Sequence, residues 1–479
     1  MTPLVLAAAR NAHRPLRRAF LLGLLSGAIY FSFTLYWLVE TMTTFGGLAT
    51  PLAILVAALL VAYLALFPAA FAVIFARLYR TLGTRALLLA PAAWVTTELG
   101  RQYVWDGFPW ILLGYSQVTV LPIAQLASIA GVYGLSALLA LTSAAAAAVV
   151  LDRGRMRWIF AGSVTAMVIV LAIWGQARVR RSVLLTHGQP VRVAVLQGNV
   201  AQDEKWDPAM RGSITDRYIA MTRQALAQGA TFVLWPESSY PVNFEQDLIG
   251  ASAVRRLAKE SGATLLIGSD QVEPITDAPA AGGPQVRYYN AAYLVKPDGG
   301  IGAVYRKMHL VPFGEYVPLK TLLFFVGPIV QAVSDFSPGL VPVLLPVGGH
   351  LASTAICYEV IFPNLIRRFV QDGSELLTTI TNDAWYGRSS AAYQHWEQAS
   401  MRAIEEGRYL ARAANTGISG FVDPYGRVVS RTALFEPAVV VGDLRFLTDR
   451  TIYSRLGDLV AWLSLALTGA ALLAGRGIG

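Results

Sequence analysis

Residues 351–362 read LASTAICYEVIF, and the fold turns on them. Small and apolar residues run into Cys357, and a carboxylate follows at Glu359. Such a run, closed by polar residues, reads as a buried strand that ends at a sharp turn carrying a thiol. Cys357 is the only cysteine among 479 residues. A single cysteine excludes an internal disulfide and any paired-cysteine zinc or redox site. A lone buried cysteine is ordinarily a small hydrophobe. Two other stretches change that reading. Residues 231–240, TFVLWPESSY, form an apolar run that delivers Glu237 just beyond its carboxyl end. Residues 304–318, VYRKMHLVPFGEYVP, place Lys307 after a strand-like run and Glu315 eight residues later. Singly, a Glu after a strand and a lone Lys are solvated loop residues. Together the three stretches supply a base, a cation and a nucleophile at the tips of apolar strands.

WPES, RKMHLVPFGEYVP and ICYE resemble the Glu-Lys-Cys segments of the nitrilase, or carbon–nitrogen hydrolase, superfamily. With the flanking hydrophobic helices and TNDAW at 381–385, nearly the whole chain resembles that superfamily's membrane-embedded branch, the apolipoprotein N-acyltransferases. The resemblance implies a four-layer αββα sandwich attached to a helical membrane bundle. It implies Glu237, Lys307 and Cys357 as the catalytic triad. Glu315 then orients Lys307 or the incoming amine, Tyr358 and Glu359 adjoin the nucleophile, and Trp206 in EKWDP belongs to substrate binding. It implies no cofactor and no metal. His309 and His395 are not read as ligands, because no Asp/His spacing accompanies them. The implied substrates are a phospholipid donor, usually phosphatidylethanolamine, and a diacylated apolipoprotein acceptor. The implied place is the bacterial inner membrane, with the catalytic domain on the periplasmic side. A membrane-tethered amidase using the same three residues is the competing reading.

The triad's chemistry follows from its residue types. A free thiol with a pKa near ~8.5 is little ionised at pH 7. A carboxylate at Glu237 can take its proton, and an ammonium at Lys307 can face the oxyanion formed when sulfur attacks an ester. Collapse leaves a thioester, which an amine then opens. The product is acyl transfer from ester to amine.

Composition agrees with a membrane setting. The hydrophobic fraction is 55% and only 14% is charged, against about 25% in soluble domains. Residues 1–176 hold eleven Arg, no Lys and four acidic residues (Glu40, Glu98, Asp106, Asp152), which is +7 of the net +9. That excess marks membrane topology. Nucleic-acid binding is a poor reading of that charge, since no basic face is interleaved with aromatics.

The domains read as a helical membrane segment at 1–176, an α/β catalytic domain at 177–455, and a last helix and tail at 456–479. Apolar runs at 19–39, 52–76, 86–99, 120–151, 158–175 and 456–474 predict about six spans. The run at 86–99 is the shortest. Basic clusters at 10–18, 77–85 and 153–157 alternate with poorly basic loops. With six spans every basic loop lies in the cytoplasm and the catalytic domain lies outside. If 86–99 does not cross, the catalytic domain falls in the cytoplasm. The family usually carries eight spans. FTLYWLVETMTTFGG, at 33–47, resembles its third span and following loop, so two amino-terminal helices are expected to be missing. In the catalytic domain, strands are expected at 191–197, 232–235, 264–267, 293–295, 304–306, 341–345, 352–357, 376–381 and 420–422. Helices are expected at 211–228, 251–261, 361–370 and 394–413. Their alternation predicts parallel sheets with helices outside. The apolar stretch 321–336 reads as a loop that dips into lipid.

Overall fold

The computed structural model describes residues 1–275, 286–316 and 336–475. The stretch 321–336, read above as a lipid-dipping loop, lies outside them except for Phe336. The chain divides into two compact units, Met1–Ser182 with Arg450–Gly479, and Val183–Asp449.

The first unit is helical. Four stretches are long and apolar enough to cross a membrane: Leu16–Thr34, Thr50–Tyr103, Ala127–Leu151 and Met156–Leu185. Leu459–Ala474 is a shorter apolar helix. The expected spans at 52–76 and 86–99 share the 54-residue stretch Thr50–Tyr103. Gly83–Leu89 winds as a 3-10 segment and separates the helix Thr50–Leu82 from Ala90–Tyr103. The expected run at 120–151 is also divided. A short turn, Leu121–Ala124, precedes the helix Ala127–Leu151, which is kinked where Gly131 takes φ +63°. Residues Thr2–Arg10 form a helix at the start of the chain. Arg80 Nε and Nη2 donate to the Ala12 and Arg14 carbonyls and tie the segment after it to the second basic cluster.

Leu16–Thr34 packs along Thr50–Leu82 through small residues. Gly23 and Gly27 are four apart, so they share one helix face. A Cβ at Gly23 would stand 2.5 Å from the Pro68 carbonyl oxygen, and one at Gly27 would stand 2.8 Å from Ala65 Cα. In lipid there is no apolar driving force between helices, so close backbone approach supplies the packing. Gly27→Leu is therefore expected to cost about 1–3 kcal/mol through overpacking. Thermal unfolding in detergent, with Gly162→Leu as an uncrowded control, checks this; no side chain would crowd position 162.

The second unit is built from two six-stranded sheets. Their orders are β12-β1-β2-β3-β4-β5 and β11-β10-β9-β8-β7-β6. The first sheet holds β1 (Gln189–Gln197), β2 (Phe232–Leu234), β3 (Thr264–Pro274), β4 (Val286–Val295), β5 (Ile301–Arg306) and β12 (Ala438–Phe446). The second holds β6 (Leu345–Val347), β7 (His350–Ile356), β8 (Leu376–Thr381), β9 (Leu410–Ala414), β10 (Gly420–Val422) and β11 (Val428–Arg431). Both sheets are mixed, which corrects the expectation of parallel sheets. β1-β2-β3 and β7-β8-β9 are parallel trios, and the other pairings are antiparallel. Parallel neighbours need a crossover of a dozen or more residues. Helices Arg211–Ala227 and Gly250–Ser261 supply it in the first sheet, Pro363–Gln371 and Ser390–Glu406 in the second. Links of two to five residues join β4–β5, β6–β7, β9–β10 and β10–β11, while β12 returns from the far end of the domain to pair with β1.

The sheets meet face to face, β1 against β9 and β4 against β7. The helices cover the outer faces. Ile214, Tyr218, Val254 and Ala258 pack with Val233, Trp235, Leu265 and Ile267 into one buried cluster. On Pro363–Gln371 the spacing Ile366, Phe369, Val370 puts three apolar side chains on one face, all buried. Each such burial is worth about 1.5–3 kcal/mol. This layering is the expected αββα sandwich.

Three local expectations are corrected. The helix expected at 394–413 ends at Glu406, because Gly407 takes a left-handed φ of +62°. The following LARAA is the central strand β9. The strand expected at 341–345 is displaced to Leu345–Val347, whose Pro346 is tolerated because β6 lies at the sheet edge,. Cys357 belongs to the turn after β7, and its strand stops at Ile356. β12, not expected at all, pairs with β1 from Gln189↔Phe446 to Gln197↔Ala438 and closes that sheet.

Candidate active site

Each expected triad residue stands just past the carboxyl end of a strand. Glu237 follows β2, Lys307 follows β5 and Cys357 follows β7. All three are buried. Lys307 continues β5 by donating its N–H to the Asn290 carbonyl at 2.8 Å, which fixes it beside β4.

Lys307 bridges two carboxylates. Its Nζ lies 3.5 Å from Glu237 Oε1 and 2.8 Å from Glu315 Oε2. The closer partner is Glu315, whose Oε2 also accepts the Val311 N–H at 2.8 Å. Asn290 joins the pair, because its Nδ2 donates to Glu237 Oε1 at 2.7 Å and to Glu315 Oε1 at 2.8 Å. Glu237 Oε2 accepts the Asn382 N–H at 2.8 Å. Each carboxylate is thus pinned by charge and by fixed donors.

Burial alone would push the Glu237 carboxyl up. Lys307 and then Lys205 outweigh it, with help from Asn290 and Asn382, and hold the group below its ordinary value. Burial works against the Lys307 ammonium, but Glu315 and Glu237 raise it well above the usual lysine range. For Cys357, burial and the nearby Glu237 charge push the thiol up, more than Lys307 pulls it down. The resting arrangement is therefore ionised Glu237, protonated Lys307 and neutral thiol. A neutral thiol beside an ionised carboxylate is set for base-assisted attack.

Cys357 sits on a strained elbow. Its φ is +52°, a region side chains rarely adopt,. Glu359 braces that elbow. Oε2 accepts the Ile356 N–H at 2.7 Å, while Oε1 accepts from Met308 N (2.6 Å), His309 N (3.1 Å) and the Tyr305 hydroxyl (2.7 Å). One carboxylate so ties the cysteine turn to the segment after Lys307. Burial pushes the Glu359 carboxyl up to about 7, against these donors. Glu359→Gln puts an amide N–H against the Ile356 N–H or against the Oε1 donors. It is expected to cost about 1–3 kcal/mol and to slow acylation of Cys357, read by thermal unfolding together with an acylation rate.

Tyr358 is buried, with its ring 5.2 Å from that of Phe362 and 6.2 Å from that of His309. Trp206 is not among the triad's contacts. It is 49% exposed, and Lys205 Nζ lies 5.4 Å from its ring centroid. His309 lies tilted against Phe362, with ring centroids 3.7 Å apart. His395 is fully buried, and its Nε2 lies 3.1 Å from the Cys357 carbonyl oxygen. Only an N–H can pair with a carbonyl there, so Nε2 carries the proton. Nδ1 lies 3.0 Å from Asp383 Oδ1 and 2.9 Å from Arg412 Nη2. His395 thus supports the main chain at Cys357. Among the described residues no cluster of His, Cys, Asp and Glu could hold a metal ion.

Sequence reasoning missed Asn290, Asn382 as a main-chain donor, Lys205 and the His395–Asp383–Arg412 cluster. One signal for Asn290 was present: it is the lone amide inside the otherwise apolar and aromatic run YYNAAYLV of β4.

Two mixed sheets with a Glu, a Lys and a strand-end Cys define a carbon–nitrogen hydrolase-type domain, here carried by a chain with helices long and apolar enough to cross a membrane. The family model described as carbon–nitrogen hydrolase matches residues 192–450, and that described as apolipoprotein N-acyltransferase N-terminal domain matches residues 1–145. The apolipoprotein N-acyltransferase of Geobacter metallireducens is 39% identical over 481 residues, covering 98% of this chain and 89% of that protein. The apolipoprotein N-acyltransferase of Pseudomonas aeruginosa (strain LESB58) is 33% identical over 449 residues, covering 91% and 83%. An amidase from Nesterenkonia sp. is similar at 24% identity and a TM-score of 0.41, over 55% of this chain and 93% of its own. The chain belongs to the apolipoprotein N-acyltransferase family, and it is a membrane protein.

Proposed function

We propose that this enzyme moves an acyl chain from a membrane phospholipid to the amino-terminal amine of a diacylglyceryl-cysteine apolipoprotein, by way of a thioester on Cys357. The observation that carries the reading is the buried set of Lys307 between Glu237 and Glu315, with Cys357 on its strained turn. In the first half-reaction Sγ attacks the ester carbonyl while Glu237 takes the thiol proton. The Lys307 ammonium and the N–H after Cys357 face the oxyanion; one such donor is typically worth about 3–4 kcal/mol. Collapse breaks the ester C–O bond, and Glu237 returns the proton to the departing lysophospholipid alkoxide. In the second half-reaction the amine attacks the thioester and Glu237 accepts its proton. Collapse breaks the C–S bond, forms the amide, and the sulfur takes the proton back.

Phosphatidylethanolamine is the proposed donor. Both substrates keep their chains in lipid, which gives the membrane helices a purpose beyond anchoring. The charge pattern supports an inner-membrane protein with residues 177–455 on the periplasmic side and the basic loops in the cytoplasm. Glu315 orients Lys307, Glu359 and Tyr358 support the nucleophile, and the exposed Trp206 meets substrate.

The test uses the full chain in mixed micelles with acyl-labelled phosphatidylethanolamine and a diacylated lipopeptide. The expected result is label on the lipopeptide amine. Release of label only as free fatty acid, at the same rate with and without lipopeptide, would favour the amidase-like hydrolase and sink this reading.

A further inference from the structure

The geometry points to Lys205 as a positioning residue for the base: from the turn Gln202–Lys205 it grips the main chain of Glu237 and places a second cation beside that carboxylate. This rests on the acyl-transfer reading above for the identity of the base.

Lys205 lies in a polar stretch, AQDEKWDP, where lysines ordinarily point to water. It is instead almost wholly buried. Its Nζ donates to the Glu237 carbonyl oxygen at 3.1 Å. The next peptide needs holding, because Ser238 sits at φ +44°. The Ser238 hydroxyl donates to Asp270 Oδ1 at 3.2 Å, so the segment after the base is held from both sides. A second link runs from the same turn. Gln202 Oε1 accepts from Asn382 Nδ2 at 2.8 Å, and the Asn382 N–H donates to Glu237 Oε2. Both ends of the turn therefore reach Glu237, one through its main chain and one through its carboxylate. Trp206, the next residue, is half exposed with its ring beside the Lys205 ammonium. The turn thus connects an exposed aromatic ring to the buried base.

The charges around the pair are these. Lys205 faces Glu237, Asp270 and Cys357. Glu237 faces Lys307 and Lys205, with Glu315 across Asn290. Burial lowers Lys205 to about 8, so it stays charged through neutral pH. Burial pushes Asp270 up to about 6. Removing the Lys205 charge takes away one of the two cations that favour ionised Glu237, so the carboxyl must titrate higher.

The test exploits the single thiol. Full-length protein in detergent is alkylated with iodoacetamide across the acid limb and up to about pH 9, and modification of Cys357 is followed by intact mass. Glu237→Gln serves as the reference without a base. For Lys205→Met the acid limb is expected to move up by about one pH unit, with alkylation up to about tenfold slower at pH values below that limb's midpoint and unchanged above about pH 7. Lys205→Arg, which keeps the charge, is expected to retain the wild-type profile. A Lys205→Met profile that overlays wild type, or a Lys205→Arg profile displaced as far as that of Lys205→Met, overturns the proposal. Because alkylation needs no lipid, a displaced profile in a protein that never takes label from phospholipid would count against the acyl-transfer reading and leave the role of Lys205 standing.

Discussion

Cys357→Ala is expected to lower acyl transfer by on the order of 10⁵-fold or more, because in the proposed mechanism Cys357 carries the acyl chain between donor and acceptor. The fold should persist. Alanine keeps the Cβ, and the positive φ is borne by the main chain and by the Glu359 brace, neither of which touches sulfur. What disappears is the Sγ contact with the Thr381 hydroxyl. A small loss of melting temperature alongside a near-total loss of transfer is the expected pair of readings. Cys357→Ser should be almost as poor, since a hydroxyl is far harder for a carboxylate to deprotonate than a thiol. Residual transfer within tenfold of wild type in either variant would mean that Cys357 is packing, as lone buried cysteines ordinarily are.

Lys307→Met carries the second large effect, and it is a double one. Chemistry loses the cation facing the oxyanion, about 10²–10³-fold by itself. It also loses the base, because two carboxylates pinned by one Asn290 amide no longer have an ammonium between them. Two like charges that close disfavour an ionised Glu237, so a total loss of about 10⁴-fold is expected. Stability falls as well, by about 3–5 kcal/mol, since breaking a buried pair leaves an uncompensated charge. The sign with pH is definite. In the variant the folded carboxyl titrates above its unfolded value, so the stability held at low pH is lost as pH rises through the folded value. Lys307→Met should therefore melt lower at pH 8 than at pH 5, relative to wild type. Adding Glu315→Gln removes one carboxylate and should restore part of the stability and none of the activity. If the double variant is no more stable than the single, the pair is not coupled as the distances indicate.

The strand-end segments were legible because each puts a polar side chain against an apolar run, a contrast visible without coordinates. WPES, YRKM and ICYE all have it, and their side chains or turns converge in one buried place. The membrane helices were legible for the same reason, through length and the arginine-rich loops. Residues whose role is set by the fold were not legible. Lys205 sits among Gln, Asp and Glu and reads as solvated; only the packing of the turn Gln202–Lys205 buries it. Asn382 acts through its main-chain N–H, which carries no side-chain signature. His395 lies in the helix Ser390–Glu406, and its link to Cys357 exists only because that helix packs behind the elbow. β9 was hidden because LARAA has helical composition, and Gly407 alone marks the break. β12 was hidden by its exposed edge, where burial gives no clean alternation.

The central claim is that Cys357 holds the acyl chain between two half-reactions. The most direct measurement incubates the full chain with acyl-labelled phosphatidylethanolamine and no acceptor, then determines the mass and label of the peptide containing Cys357. The account predicts one acyl chain on Cys357, removed by hydroxylamine and discharged quantitatively when a diacylated lipopeptide is added. A protein that transfers label to the lipopeptide while Cys357 never carries it, under conditions where acceptor is withheld, would contradict the account.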